Sequence, residues 1–233
     1  MKKILTLIAV VTVSFSLTAQ AAIILGDEFA DVVDASKTGN TATFDSWDSV
    51  NGINAPASSL SFFVGDTTTP VGFHNASDGE IDVNNNMTAG GWDTSILLNL
   101  DGSTGSIGLT SLILDMRLTN GSGADNSTGS KSGRMAVELI GSSSGSLGTV
   151  DPGNSSYPSV EYVRTLDLTG LPALGTSESY TLVVKARGTG FGHHKSLQAL
   201  ELNGDITAIP EPGTIGLLAL ACSALLLFRR LTT

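Results

Sequence analysis

The sequence predicts an all-β fold, an antiparallel two-sheet sandwich of jelly-roll type, with an N-terminal signal helix and a single C-terminal transmembrane helix. Three observations predict it. Apolar and polar residues alternate with period two in several stretches, as in Leu112, Leu114 and Met116 against Ile113, Asp115 and Arg117. No comparably long stretch of the body carries the 3.6-residue period of an amphipathic helix. The gaps are crowded with turn formers, including 27 glycines in 233 residues.

Taken in order, residues 1–21 form the first element. Lys2 and Lys3 precede a mostly apolar stretch from Ile4 to Leu17, and Ala19-Gln20-Ala21 supplies a small-x-small exit. A secretory signal peptide cut between Ala21 and Ala22 is expected. The body, 22–207, is expected to hold strands at 41–47, 59–64, 80–84, 95–100, 112–119, 135–140, 159–168, 180–187 and 196–202. About nine strands with turn-rich gaps suit a sandwich. The long polar gaps 120–133 and 141–158 are expected to be surface loops, where binding residues commonly sit. The last element, 208–233, holds an apolar transmembrane segment, 214–228.

Charge narrows the partners. The chain has 12 basic and 22 acidic residues; setting aside Lys2, Lys3, Arg229, Arg230 and Glu211 leaves 8 and 21, a formal charge of -13 on residues 22–209. A polyphosphate would be repelled, which excludes nucleic acid as a partner. Cys222 is the only cysteine and lies in the apolar tail, so the body has no disulfide.

The tail carries the most specific signal. As a helix, Thr214 to Phe228 spans roughly 22 Å, short of a hydrocarbon core of about 30 Å. Arg229 and Arg230 act as a stop and orient the body outside. Pro210 and Pro212 hold Glu211 in an extended segment. That arrangement suits either a weak anchor that parks the protein until it is cut or a lasting anchor. Pro210-Glu211-Pro212, the apolar span and the arginine stop resemble the PEP-CTERM sorting signal of exported proteins of Gram-negative bacteria. The resemblance implies recognition at the Pro-Glu-Pro step by the processing partner exosortase, a membrane-anchored intermediate, and delivery to the cell surface or extracellular matrix. It also implies association with exopolysaccharide and biofilm.

Three constellations in the body bear on chemistry. Glu80-Ile81-Asp82-Val83 resembles the catalytic strand of family 16 glycoside hydrolases, which implies Glu80 as nucleophile and Asp82 as its partner. The acid/base glutamate would fall where the chain has Asn84 and Asn85. An amide cannot protonate a leaving group, so no enzymatic activity is expected and no catalytic residue is assigned. The same strand sets Asp78, Glu80, Asp82 and Asn84 at alternate positions, oxygen ligands of the kind calcium takes; a solvated polar face is the stronger explanation, and no cofactor is otherwise expected. Trp47 and Trp92 are flanked by acid, in FDSWDS and GGWDTS, a setting in which an indole stacks on a sugar and a carboxylate such as Asp93 accepts its hydroxyls. Core packing is the competing role for both rings. The segment SLQALELNGDI resembles the closing strand of carbohydrate-binding jelly-roll domains. The expectation is an exported structural or adhesive matrix protein, with a carbohydrate-binding module as the alternative and a hydrolase relative lacking its acid/base as the third reading.

Overall fold

The computed structural model describes residues 20–30, 32, 40–65, 68–71, 73–77, 80–83, 91–119, 131–157, 161–189 and 194–209. Among them fifteen strands form two antiparallel sheets, as the alternation predicts. The two longest are β8 (Thr104–Thr119) and β15 (His194–Ala208), paired along their whole length from Thr104↔Ala208 to Thr119↔His194. Around them the first sheet runs β12 (Glu161–Asp167), β8, β15, β1 (Gln20–Asp27), β3 (Ser49–Val50). β13 (Leu174–Gly175) adds to β8, and the hairpin of β5 (Phe73–Ser77) and β6 (Glu80–Val83) joins through β6 to β15. The second sheet runs β10 (Gly145–Val150), β9 (Lys131–Gly141), β14 (Tyr180–Thr189), β7 (Trp92–Leu98), β4 (Ser59–Val64), β2 (Thr41–Thr43), with β11 (Asn154–Tyr157) added to β9.

Period-two alternation puts one residue in two into the core. Leu112, Leu114 and Met116 of β8, Met135, Val137 and Leu139 of β9, and Leu182, Val184 and Ala186 of β14 are all fully buried. Each buried leucine or isoleucine contributes about 1.5–3 kcal/mol of transfer free energy. In β1 a bulge between Ile23 and Leu25 breaks the alternation, so Ile24 and Leu25 both face inward and both are fully buried. Aromatic rings tie the sheets together: Phe62 of β4 meets Phe73 of β5 edge-on, ring centroids 5.6 Å apart.

Several expected boundaries shift. The strand expected at 41–47 ends at Thr43, after which Phe44 and Trp47 pack into the core; that at 95–100 begins earlier, at Trp92. The gap 141–158 is not one loop, because Gly145–Val150 and Asn154–Tyr157 both pair with β9. β1 begins at Gln20, so the expected cut between Ala21 and Ala22 falls inside a strand whose residues pair with Asp205 and Gly204. The sheet ends next to the expected sorting motif: Ile209 donates its backbone N–H to the Ser103 carbonyl at 2.8 Å. The signal helix, the transmembrane segment, and Pro210, Glu211, Pro212, Arg229 and Arg230 lie outside the described residues.

Carboxylates cap three of the turns. Asp101 accepts from Ser103 N, Ser103 Oγ and Thr104 Oγ1, and Asp167 accepts from Thr169 N and Oγ1. Glu178 reaches across to the β9–β10 turn and accepts from both the N–H and the hydroxyl of Ser143 and of Ser144, at 2.7–3.1 Å. Such donors favour the ionised form. The Ser103 hydroxyl bond lowers the Asp101 pKa and the Thr169 hydroxyl bond that of Asp167; the Ser144 hydroxyl, then the Ser143 N–H, lower Glu178 from 4.5 to about 2. A lowered folded-state pKa contributes stability that is complete above 4.5 and lost as pH falls through about 2. Glu178→Gln should therefore be less stable than the parent at neutral pH, with a gap that closes between pH 4.5 and 2. Urea midpoints of both proteins across that range check this; a gap independent of pH would mean that the carboxylate's charge is not what holds the turn.

Candidate functional site

The outer face of the first sheet is polar and grooved. Because Leu112, Leu114, Leu200 and Leu202 point inward, their neighbours Ser111, Ile113, Glu201 and Asn203 point outward. The register lines these up: Ser111↔Asn203↔Ile23 form one row across β8, β15 and β1, and Ile113↔Glu201↔Gly26↔Ser49 the next. Two hollows lie over these rows. One, of about 200 Å³, is bounded by Gly26, Asp27, Glu28, Asp48 and Glu201; the other, of about 330 Å³, by Ala21, Thr110, Asn203 and Gly204. Ile23 lines both, so the two hollows adjoin at one apolar side chain and together mark a groove along this face.

Local sequence explains the opening. Gly26 faces Glu201, and a Cβ at Gly26 would lie 3.3 Å from Ile23 Cγ2 and 3.9 Å from Glu201 Cγ, so glycine keeps the floor of the smaller hollow clear. At the end of β1 the Asp27 carboxylate accepts the Phe29 N–H at 2.6 Å and turns the chain. Phe29 takes φ 51°, an uncommon conformation for a bulky residue, and its ring is fully buried against Phe44. That turn leaves Glu28 exposed at the rim, where its N–H donates to Asp48 Oδ2 at 3.1 Å. On the other side Asn203 Nδ2 donates to Glu201 Oε1 at 2.7 Å and to Ser111 Oγ at 3.4 Å. No basic residue lines either hollow. The groove thus offers hydrogen-bond acceptors, hydroxyls and a small apolar floor, a set that suits a polyhydroxylated ligand.

The tryptophans expected to stack on sugar belong to the core. Trp92 points inward from β7, 1 % exposed, with Phe62 edge-on at 5.1 Å. Trp47 is 7 % exposed, packs edge-on against Phe44, and gives its Nε1–H to the Ala57 carbonyl at 3.2 Å. Neither ring has an open face for stacking. Asp93, one residue on from Trp92, points the opposite way and forms an ion pair with Arg187, which also donates to the Trp92 carbonyl. Trp92 and Asp93 therefore cannot meet one ligand together.

The calcium and hydrolase expectations both rest on β6. Glu80 and Asp82 alternate there with Ile81 and Val83, whose side chains are fully buried, and Asp82 pairs with Asn75 and Ser196. Asp78, Asn84 and the side chains of Glu80 and Asp82 lie outside the described residues. Among the described residues no group of three His, Cys, Asp or Glu side chains is placed to hold a metal ion. Glu201, Asn203 and Gly26 were not expected as site residues. The first two alternate with Leu200 and Leu202, a legible signal; Gly26 gave none.

No protein family and no curated protein matches the chain. Among solved structures it is similar to the CBM22-1 xylan-binding domain of Xyn10C from Paenibacillus barcinonensis, at 8% identity and TM-score 0.39, covering 82% of this chain and 98% of that one. It is also similar to the family 11 carbohydrate-binding module of Clostridium thermocellum, solved with a β-1,3-1,4-mixed-linked tetrasaccharide, at 11% identity and TM-score 0.31, covering 75% and 99%. A third similarity is to the N-terminal cellulose-binding domain of Cellulomonas fimi β-1,4-glucanase C, at 18% identity and TM-score 0.28, covering 76% and 98%.

Proposed function

We propose that this chain is an exported β-sandwich protein that binds polysaccharide along the groove over β1, β15 and β8. The observation that carries the reading is that the two hollows adjoin at Ile23, with Glu201, Asn203 and Asp48 as acceptors along their walls. A sugar ring offers hydroxyl donors around a partly apolar face, and the groove offers the converse. The groove takes over the role expected of Trp47 and Trp92, which pack in the core and line neither hollow. In this reading the C-terminal signal sorts the protein through exosortase to the cell surface or matrix, and the sandwich then holds it to exopolysaccharide.

The experiment is affinity electrophoresis of the full-length chain, kept in mild detergent, through gels containing soluble polysaccharides. Retardation by at least one polymer is expected. Gly26→Leu should abolish it, a loss of at least tenfold in affinity, by filling the smaller hollow; because Gly26 is buried between β15 and β3 and a Cβ there meets Ile23 Cγ2 at 3.3 Å, the thermal midpoint falls too, and the variant is compared below that midpoint, where near-UV circular dichroism shows it folded. Retardation that survives Gly26→Leu would place binding elsewhere; none by any polymer would defeat the reading.

A further inference from the structure

We infer that this groove discriminates against acidic glycans, and that Glu201 and Asn203 are the specificity-determining pair; the inference rests on the polysaccharide-binding reading above. It starts from the direction of one amide. Asn203 places Nδ2 2.7 Å from Glu201 Oε1. The reverse orientation would set two acceptors against each other at that distance, so the carboxylate fixes the amide. With Nδ2 committed to Glu201 and Ser111, Asn203 offers the groove only its Oδ1. Glu201 in turn offers its second carboxylate oxygen. Both can accept and neither can donate.

The opposite wall repeats the pattern. Asp48 is positioned by the Glu28 N–H through Oδ2, which leaves Oδ1 as a further acceptor, and Glu28 stands beside it. With the Asn203 amide committed, the hydroxyls of Ser49 and Thr110 are the remaining side-chain donors among the lining residues, and both are uncharged. A neutral sugar hydroxyl satisfies these walls by donating. A uronic acid in the same position donates nothing from its carboxylate, meets no cation, and faces carboxylates held in place by the fold. Gly26 matters here because it brings the ligand down to the level of Glu201, where a like charge is least screened by solvent.

The test keeps the polymer backbone constant and changes only its charge. The neutral polysaccharide that most retards the full-length protein is oxidised at its primary alcohols to uronic acids, and affinities for the two forms are compared at low and high salt. The neutral form should bind at least tenfold more tightly at low salt, with the ratio falling as salt rises. Glu201→Gln retains an acceptor for Asn203 and removes the charge. It should weaken the neutral polymer about threefold to tenfold, because a charge-assisted hydrogen bond becomes an ordinary one. It should also improve the oxidised polymer, so that the ratio contracts; Asn203→Leu should weaken the neutral polymer without that improvement. Equal binding of both forms, in a protein whose binding is still lost with Gly26→Leu, would overturn the selectivity and leave the groove standing. Failure of every polymer to bind would remove both.

Discussion

Gly91→Ala should cost at least about 4 kcal/mol, enough to leave much of the population unfolded in a domain of ordinary stability. Gly91 has φ +78°, and a Cβ there would lie 1.5 Å from the Ala186 carbonyl oxygen, 2.5 Å from its carbon and 2.7 Å from Arg187 Cα. All three are backbone atoms of β14, so no rotamer change relieves the overlap. The strands must part where Trp92 pairs with Ala186, at the start of the β7–β14 ladder. Gly91 is held from the other side too, its carbonyl accepting the Gly65 N–H at 3.1 Å. Urea denaturation of the variant measures the loss. A midpoint close to the parent's would show that β7 can lift away from β14 at that end without disturbing the core.

How much of this was legible in the sequence depends on what each strand buries. β8, β9 and β14 have one wet face and one dry face, so their alternation shows plainly. β10 has no such signature: every residue of Gly145–Val150 is exposed or half-buried, and two of the six are glycine, so it reads as loop until β9 is seen beside it. β11, Asn-Ser-Ser-Tyr, is equally mute. β1 was hidden differently, because its first residues also fit the small-x-small exit expected of a signal peptide. The groove needs β1 against β15, a pairing of residues about 180 apart, and no local pattern announces that Gly26 will face Glu201. The error over Trp92 and Asp93 was avoidable from periodicity, since neighbours on a strand point to opposite faces.

Trp92→Ala should be the most damaging truncation in the core, at about 3–5 kcal/mol. The indole is 1 % exposed and stands edge-on to Phe62, which stands edge-on to Phe73 across the sandwich. Removing it leaves a cavity within the aromatic chain that joins the sheets, and Phe62 loses a partner 5.1 Å away. Trp92→Phe keeps a ring in the site and should cost far less. The pair of variants separates packing from recognition, because a lost glycan affinity in the alanine variant follows from unfolding whichever role the residue has. The phenylalanine variant, still folded, should bind polysaccharide as tightly as the parent if the groove over β1 and β15 is the site. A folded Trp92→Phe protein with affinity reduced tenfold or more would instead return the indole to the binding surface, and would require β7 to open away from Phe62 when the ligand arrives.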